Sequence, residues 1–270
     1  MERTKRTEIN WLCESAIMIA LSFVLSLIKV VDLPFGGSVT VGSMVPVAIV
    51  AYRYGTLRGI ATAFIYSLTQ LLTGLKNFSY ATSAQAVIMI LLFDYIVAFS
   101  VIGLVGAFRN RIKNQQLAMC LGMALACVLR YICHCISGCT VWAGVSIPSK
   151  DGIIYSLGYN ATYMIPETIV AVAFIWYLSK MLDFSSQRIS GSKSIQKTGV
   201  GITNAVATLL VLGAAVYDAV EIFVHTQVKS GFDITAVVGA DFVAMAIVTA
   251  VCVAAAAVLV VIGKVIENKR

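Results

Sequence analysis

Charge is what this chain has least of. Of its 270 residues only 12% are Asp, Glu, Lys or Arg, and just 13 are acidic. A soluble domain carries about 25% charged residues, so a water-facing globule is excluded, as are a disordered chain and a coiled coil. The 7 cysteines are odd in number, lie mostly in apolar stretches and form no CxxC pair, so no disulfide framework is implied. No GxxxxGK[ST] phosphate loop occurs, so any ATP-driven role needs partner chains. Nor is there a recognisable nucleophile–base pair or metal-ligand set, which argues against an enzyme.

Apolar sequence is there in abundance: 59% of residues are hydrophobic and the mean hydropathy is +0.90. Crossing a hydrocarbon core of about 30 Å takes about 20 helical residues. On that basis eight helices are expected, over roughly 11–31, 43–53, 56–75, 85–108, 117–141, 156–182, 201–223 and 234–263. The second is short and contains Pro46, which suggests a broken helix continuous with the loop before it. The first is too long in its apolar core, and lacks the small-residue cleavage site, for a signal peptide.

The net charge of +7 is a topology signal rather than a nucleic-acid one. With the N-terminus cytoplasmic, fifteen Lys and Arg residues fall in one set of loops and only Lys29, Lys76, Lys150 and Lys229 in the other, with Arg130 inside a span. Positive charge marks the cytoplasmic side, so both termini are expected there. The one long polar segment, residues 183–200, is Gly/Ser-rich and divides a six-helix part from a two-helix tail.

Ionisable groups inside a bilayer are costly and face a cavity or a partner. Asp94, Arg130 and Glu167 lie at one estimated depth, about 15 Å from the outer helix ends. They form either a common polar centre or a structural ion pair joining three helices. Glu14 is expected near a helix end. Towards the outer face lie His134, Trp142, Tyr155, Tyr159, Asn160 and Tyr163, and Pro166 is expected to kink their helix. Aromatic faces above a carboxylate suit a flat organic cation, each face contributing about 0.5–2 kcal/mol when desolvated. An interfacial aromatic belt is the alternative for any one of these rings. The segment Cys133-His134-Cys135 with Cys139 has poor geometry for a shared metal, because His134 points about 100° away from Cys135.

Four strings carry a family likeness: PFGGSVTVGSMVP (34–46), LLFDYIVAFSVIGLVGAF (91–108), LRYICHCISG (129–138) and YSLGYNATYMIPE (155–167). In order and spacing they resemble the thiamine-specific substrate-binding subunits, or S-components, of energy-coupling factor transporters, over roughly residues 10–182. The resemblance implies an all-α membrane protein with a six-helix bundle, here followed by two further transmembrane helices. It also implies thiamine as ligand with no cofactor, and a multi-pass place in a bacterial cell membrane. The partners it implies are a transmembrane coupling subunit and two ATPases. By position it makes Asp94 the acidic residue facing the ligand, followed by Tyr95. His134 and Trp142 would flank the thiazolium, while Tyr155 and Asn160 would make polar contacts. Arg130, Tyr163 and Glu167 are candidates for polar support. Gly36, Gly37 and Ser38 match the family's lid, and the Ala16–Ala20 pair matches its docking motif for the coupling subunit.

The expected organisation is a thiamine-binding domain over 1–182, a cytoplasmic linker over 183–200 and an extension over 201–270. The extension departs from the family pattern and places Asp218, Glu221 and Asp241 within its spans. It is a buttress, an extra partner surface, or a cation pathway that would make the chain a solitary transporter. A ligand that is a thiamine precursor is the other alternative.

Overall fold

The computed structural model describes the whole chain except residues 1, 34–35, 142–149, 187–188, 192–197, 229–230 and 269–270. The described residues are overwhelmingly helical. The first helix, α1 (Glu2–Leu27), leads into a hairpin of β1 (Lys29–Asp32) and β2 (Ser38–Thr40). Next come α2 (Val45–Tyr54), α3 (Thr56–Thr73) and a 3-10 turn over Leu75–Tyr80. A composite span, Ala84–Phe108, is followed by α6 (Gln115–Val141) and α7 (Lys150–Met181). The composite span is built from α4 (Ala84–Met89), a π-helical stretch (Ile90–Ile96), α5 (Val97–Ser100) and a 3-10 stretch (Val101–Phe108). The chain ends with α8 (Thr198–Thr226) and α9 (Phe242–Asn268), with a 3-10 turn over Ile234–Gly239 between them. Six of these helical stretches are long and apolar enough to cross a membrane, α8 and α9 included.

The short second helix has a physical explanation. At 10 residues it is about 15 Å long, half a bilayer, and Val45 to Arg53 are all buried. A helix that is apolar all round belongs in an interior, and α2 is the axis of the core, packed by α1, α3 and the 3-10 stretch Val101–Phe108. Pro46 causes no break because it sits in the first turn, where its missing N–H has no intrahelical partner to lose. Met44, Tyr66, Ile102, Met119, Met164 and Phe184 complete the buried cluster around it.

Several boundaries differ from expectation. The first apolar run stops being helical at Leu27, because residues 29–32 pair with 38–40 as a hairpin. That helix begins at Glu2, so Glu14 lies within it, bonded to Arg53 at 2.6 Å and to the Tyr54 hydroxyl at 2.8 Å. The last helix starts at Phe242 rather than 234. Asp241 therefore stands just before it and accepts the Ala244 N–H at 2.9 Å, as a helix cap does. Helix α7 continues through Pro166 to Met181. Beyond it the Ser185 hydroxyl and amide hold the Asp183 carboxyl below the usual carboxylate range.

The tail is attached to the rest along α7, against which α8 packs. Helix α9 packs on α8 and has only Ala256 and Gly263 buried, leaving Val243, Ile247, Val251 and Val258 to face lipid. Lys180 and Glu267, 3.3 Å apart, tie the end of α7 to the end of α9.

Candidate binding site

A cavity of about 330 Å³ lies between the hairpin, α3, the composite span, α6 and α7. That is within the usual size of a small-molecule pocket. Asp94, Tyr95, Arg130, His134, Asn160, Tyr163, Glu167, Gly36, Gly37 and Ser38 all line it.

Asp94 and Tyr95 come from the π-helical stretch. Such bulges are uncommon and recur at functional sites because they re-aim side chains. Asp94 Oδ2 accepts the Ser137 hydroxyl at 2.7 Å, and Oδ1 lies 3.0 Å from His134 Nδ1. An ionised carboxylate is acceptor-only, so this pairing puts a proton on Nδ1, and the ring in its neutral form then presents Nε2 as an acceptor. That Nε2 is buried without a partner. Tyr95 donates to the Gly74 carbonyl at 3.0 Å and accepts from Asn77 at 2.8 Å, which anchors the turn after α3 to the cavity wall.

Glu167 has a different setting. Its Oε2 accepts the Thr40 N–H at 2.6 Å and its Oε1 the Thr40 hydroxyl at 2.7 Å. The Tyr159 hydroxyl accepts the Gly37 N–H at 3.1 Å. Helix α7 thus holds the inner strand of the hairpin at two points. Two glycines make that approach possible: Gly36 has φ +96°, and a Cβ on Gly37 would sit 2.6 Å from the Tyr163 ring.

Arg130 is buried, with its guanidinium 4.4 Å from the Phe99 ring centroid and a contact to the Met44 sulfur. It makes no ion pair with either Asp94 or Glu167, so the expected ion pair joining three helices is not formed. All three nevertheless line one cavity.

Asn160 lines the cavity, but its amide protons go to Ser156 and to the His134 carbonyl, while its Oδ1 accepts the Tyr163 hydroxyl at 2.6 Å. Its evident work is to join α6 to α7. Tyr155 is not among the lining residues; it stacks on Tyr159 with ring centroids 6.3 Å apart. Trp142 lies outside the described residues. Sequence reasoning passed over Thr40, Ser43, Gln70, Asn77 and Phe99 as cavity residues, and Ser137 as Asp94's partner. The one available signal for Ser137 was its place one turn after His134. Lys29 and Lys76 also line the cavity, so its net charge does not favour a cation; the Asp94 carboxylate does so locally. Among the described residues no group of His, Cys, Asp and Glu has metal-ligand geometry.

The tail carboxylates lie away from this cavity. Asp218 accepts the Thr249 hydroxyl at 2.7 Å, and Glu221 accepts the Asp241 N–H at 3.2 Å, so both join α8 to α9 or its cap. On α1, Ala16 and Ala20 are exposed, in one stripe with Cys13, Ile17 and Leu21.

Over residues 12–185 the chain matches the model of a family described as thiamine transporter protein. It is 32% identical over 178 residues to the thiamine transporter ThiT of Bacillus subtilis (strain 168), a match covering 62% of this chain and 88% of that relative. A solved structure of ThiT from Listeria monocytogenes shares the fold, with a TM-score of 0.52 and 22% identity, covering 64% of this chain and 95% of that one.

Proposed function

The chain belongs to the thiamine transporter family, and from that premise we propose that it captures thiamine in the cavity between the hairpin, the composite span, α6 and α7. It is a multi-pass membrane protein and not an enzyme. The observation that carries the assignment is Asp94, fixed by Ser137 and His134 and open to the cavity, with its side chain 31% exposed. Thiamine's thiazolium bears a permanent positive charge. In a site of low dielectric a nearby carboxylate attracts that charge far more strongly than water would allow. The rings of Tyr163, Tyr95 and Phe99 line the same space and supply faces for a cation. The partnerless His134 Nε2 is an acceptor for a ligand N–H or O–H, and thiamine carries both kinds of donor. Trp142 is a further contact in this proposal.

Delivery across the membrane belongs to the same proposal. Residues 1–182 form the ligand-binding domain, 183–200 a cytoplasmic linker and 201–270 an extension, with both chain ends cytoplasmic. The exposed Ala16–Ala20 stripe suits close helix packing in lipid, and we assign it to docking on a coupling subunit that works with two ATPases. The chain carries no phosphate loop of its own, which supports that division of labour.

Calorimetric titration of the purified protein tests capture. Saturable thiamine binding below micromolar concentration is expected, with the neutral aminopyrimidine precursor at least about tenfold weaker, or about 1.4 kcal/mol. No response to micromolar thiamine overturns the assignment. Thiamine uptake by this chain alone in proteoliposomes under an ion gradient would overturn the need for ATPase partners.

A further inference from the structure

The structure assigns the C-terminal helix pair a role at the binding site: we propose that α8 is a strap on the lid hairpin and that it sets how fast ligand leaves the cavity. The proposal rests on the capture function above.

The hairpin closes one side of the cavity, to which it contributes Lys29, Gly36, Gly37, Ser38 and Thr40. Its inner strand is bonded to α7 through Thr40 and Gly37. Its other strand, β1, packs against α8. Val31 and Leu33 of the hairpin are each only 5% exposed, and they belong to one apolar cluster with Ala215 and Ala219 of α8, flanked by Leu212 and Phe223. The hairpin is therefore held from two sides, by polar bonds within and by apolar packing without.

The strap is itself well seated. Helix α8 lies along α7, the 3-10 turn Ile234–Gly239 touches α7, and the Lys180–Glu267 pair joins the far ends. The same outer loop brings the Asp233 carboxylate within electrostatic reach of Tyr155. Small residues at 215 and 219 let backbones approach closely; larger ones would wedge the strand away. A lid that must swing to release ligand has to break the α8 contact as well as the α7 bonds, so the contact acts on the opening step. The family model ends at residue 185, before these helices, so the strap is an addition to the family's pattern.

The test uses the full chain loaded with radiolabelled thiamine and chased with unlabelled ligand. Ala215→Leu combined with Ala219→Leu is expected to raise the dissociation rate roughly tenfold, with the preference for thiamine over the neutral precursor retained. Phe223→Ala, which removes volume instead of adding it, is expected to act in the same direction and covers the case in which the double variant does not fold. Val251→Ala, on the lipid-facing side of α9, should leave the rate at wild type. Folded variants that release thiamine at the wild-type rate overturn the strap. If the wild-type chain fails to bind thiamine, the capture assignment falls first. Amide exchange at Val31, Leu33 and Val39 in ligand-free protein then decides the strap alone: faster exchange in the variants supports it, unchanged exchange overturns it.

Discussion

Asp94 and Glu167 are both acidic, lie at similar depth and line the same cavity, yet their neighbourhoods have opposite character. Asp94 is gripped by side chains of α6 and keeps an exposed edge towards the cavity. Glu167 is 4% exposed, and each of its oxygens takes one donor from Thr40 of the hairpin. Beside the first, a buried histidine nitrogen has no partner; the second has both oxygens bonded by Thr40. The open edge of Asp94 is what leads us to propose it as the ligand's carboxylate, whereas Glu167 has its lone pairs engaged by a strand distant in sequence. Intramembrane charge alone does not distinguish the two settings; exposure to the cavity, and the element that supplies the donors, do.

Substitutions can break that contrast. The largest effect is expected from Asp94→Asn, which removes the counter-charge from a desolvated cation. Removing one partner of such a pair costs about 3–5 kcal/mol when fully buried. Partial exposure lowers this, so a roughly hundred- to thousandfold weaker thiamine affinity is expected by calorimetry, with little change for the neutral precursor. An affinity within threefold of wild type would place Asp94 with Glu167 as a structural group.

Glu167→Gln should give a smaller and different effect. It sets an amide NH₂ against a Thr40 donor and weakens two charge-assisted bonds, each worth about 1.5–3 kcal/mol. The expectation is a roughly tenfold faster release of thiamine, with selectivity against the neutral precursor unchanged. Loss of that selectivity would show that Glu167 also faces the ligand. Thr40→Val comes last. It deletes the hydroxyl bond but keeps the backbone one and the charge on Glu167, so release should quicken only about two- to fivefold, less than for Glu167→Gln.

Much of this was legible before any coordinates. Asp94, Arg130, His134 and Glu167 stand out because so few charges interrupt the apolar runs, and all four do line one cavity. Gly36, Gly37 and Ser38, matched by resemblance to the family's lid, lie in or beside the hairpin at the cavity. Residues 28–31 look like the end of a helix by hydropathy, yet Lys29–Asp32 form a strand because residues 38–40 are available to pair with them. Asp241 looks intramembrane by its apolar neighbours, yet it caps α9. Asn160 has the right chemistry to meet a ligand, but its donors are taken by Ser156 and His134. The π-helical turn around Asp94 has no signature in the apolar periodicity, since Leu, Ile and Phe fill α- and π-helical turns equally well.

What the sequence determined by itself is the membrane, the rough extent of most helices, and which side chains are too costly to leave in lipid. Those are local properties, because the penalty for exposing a charge or a backbone group to hydrocarbon acts residue by residue. Only the tertiary structure decided which partner each costly group acquires. Thr40 reaches Glu167 across 127 positions and Gly37 reaches Tyr159 across 122. Such bonds exist only after helices have packed, so the different settings of Asp94 and Glu167 are a property of the packed bundle.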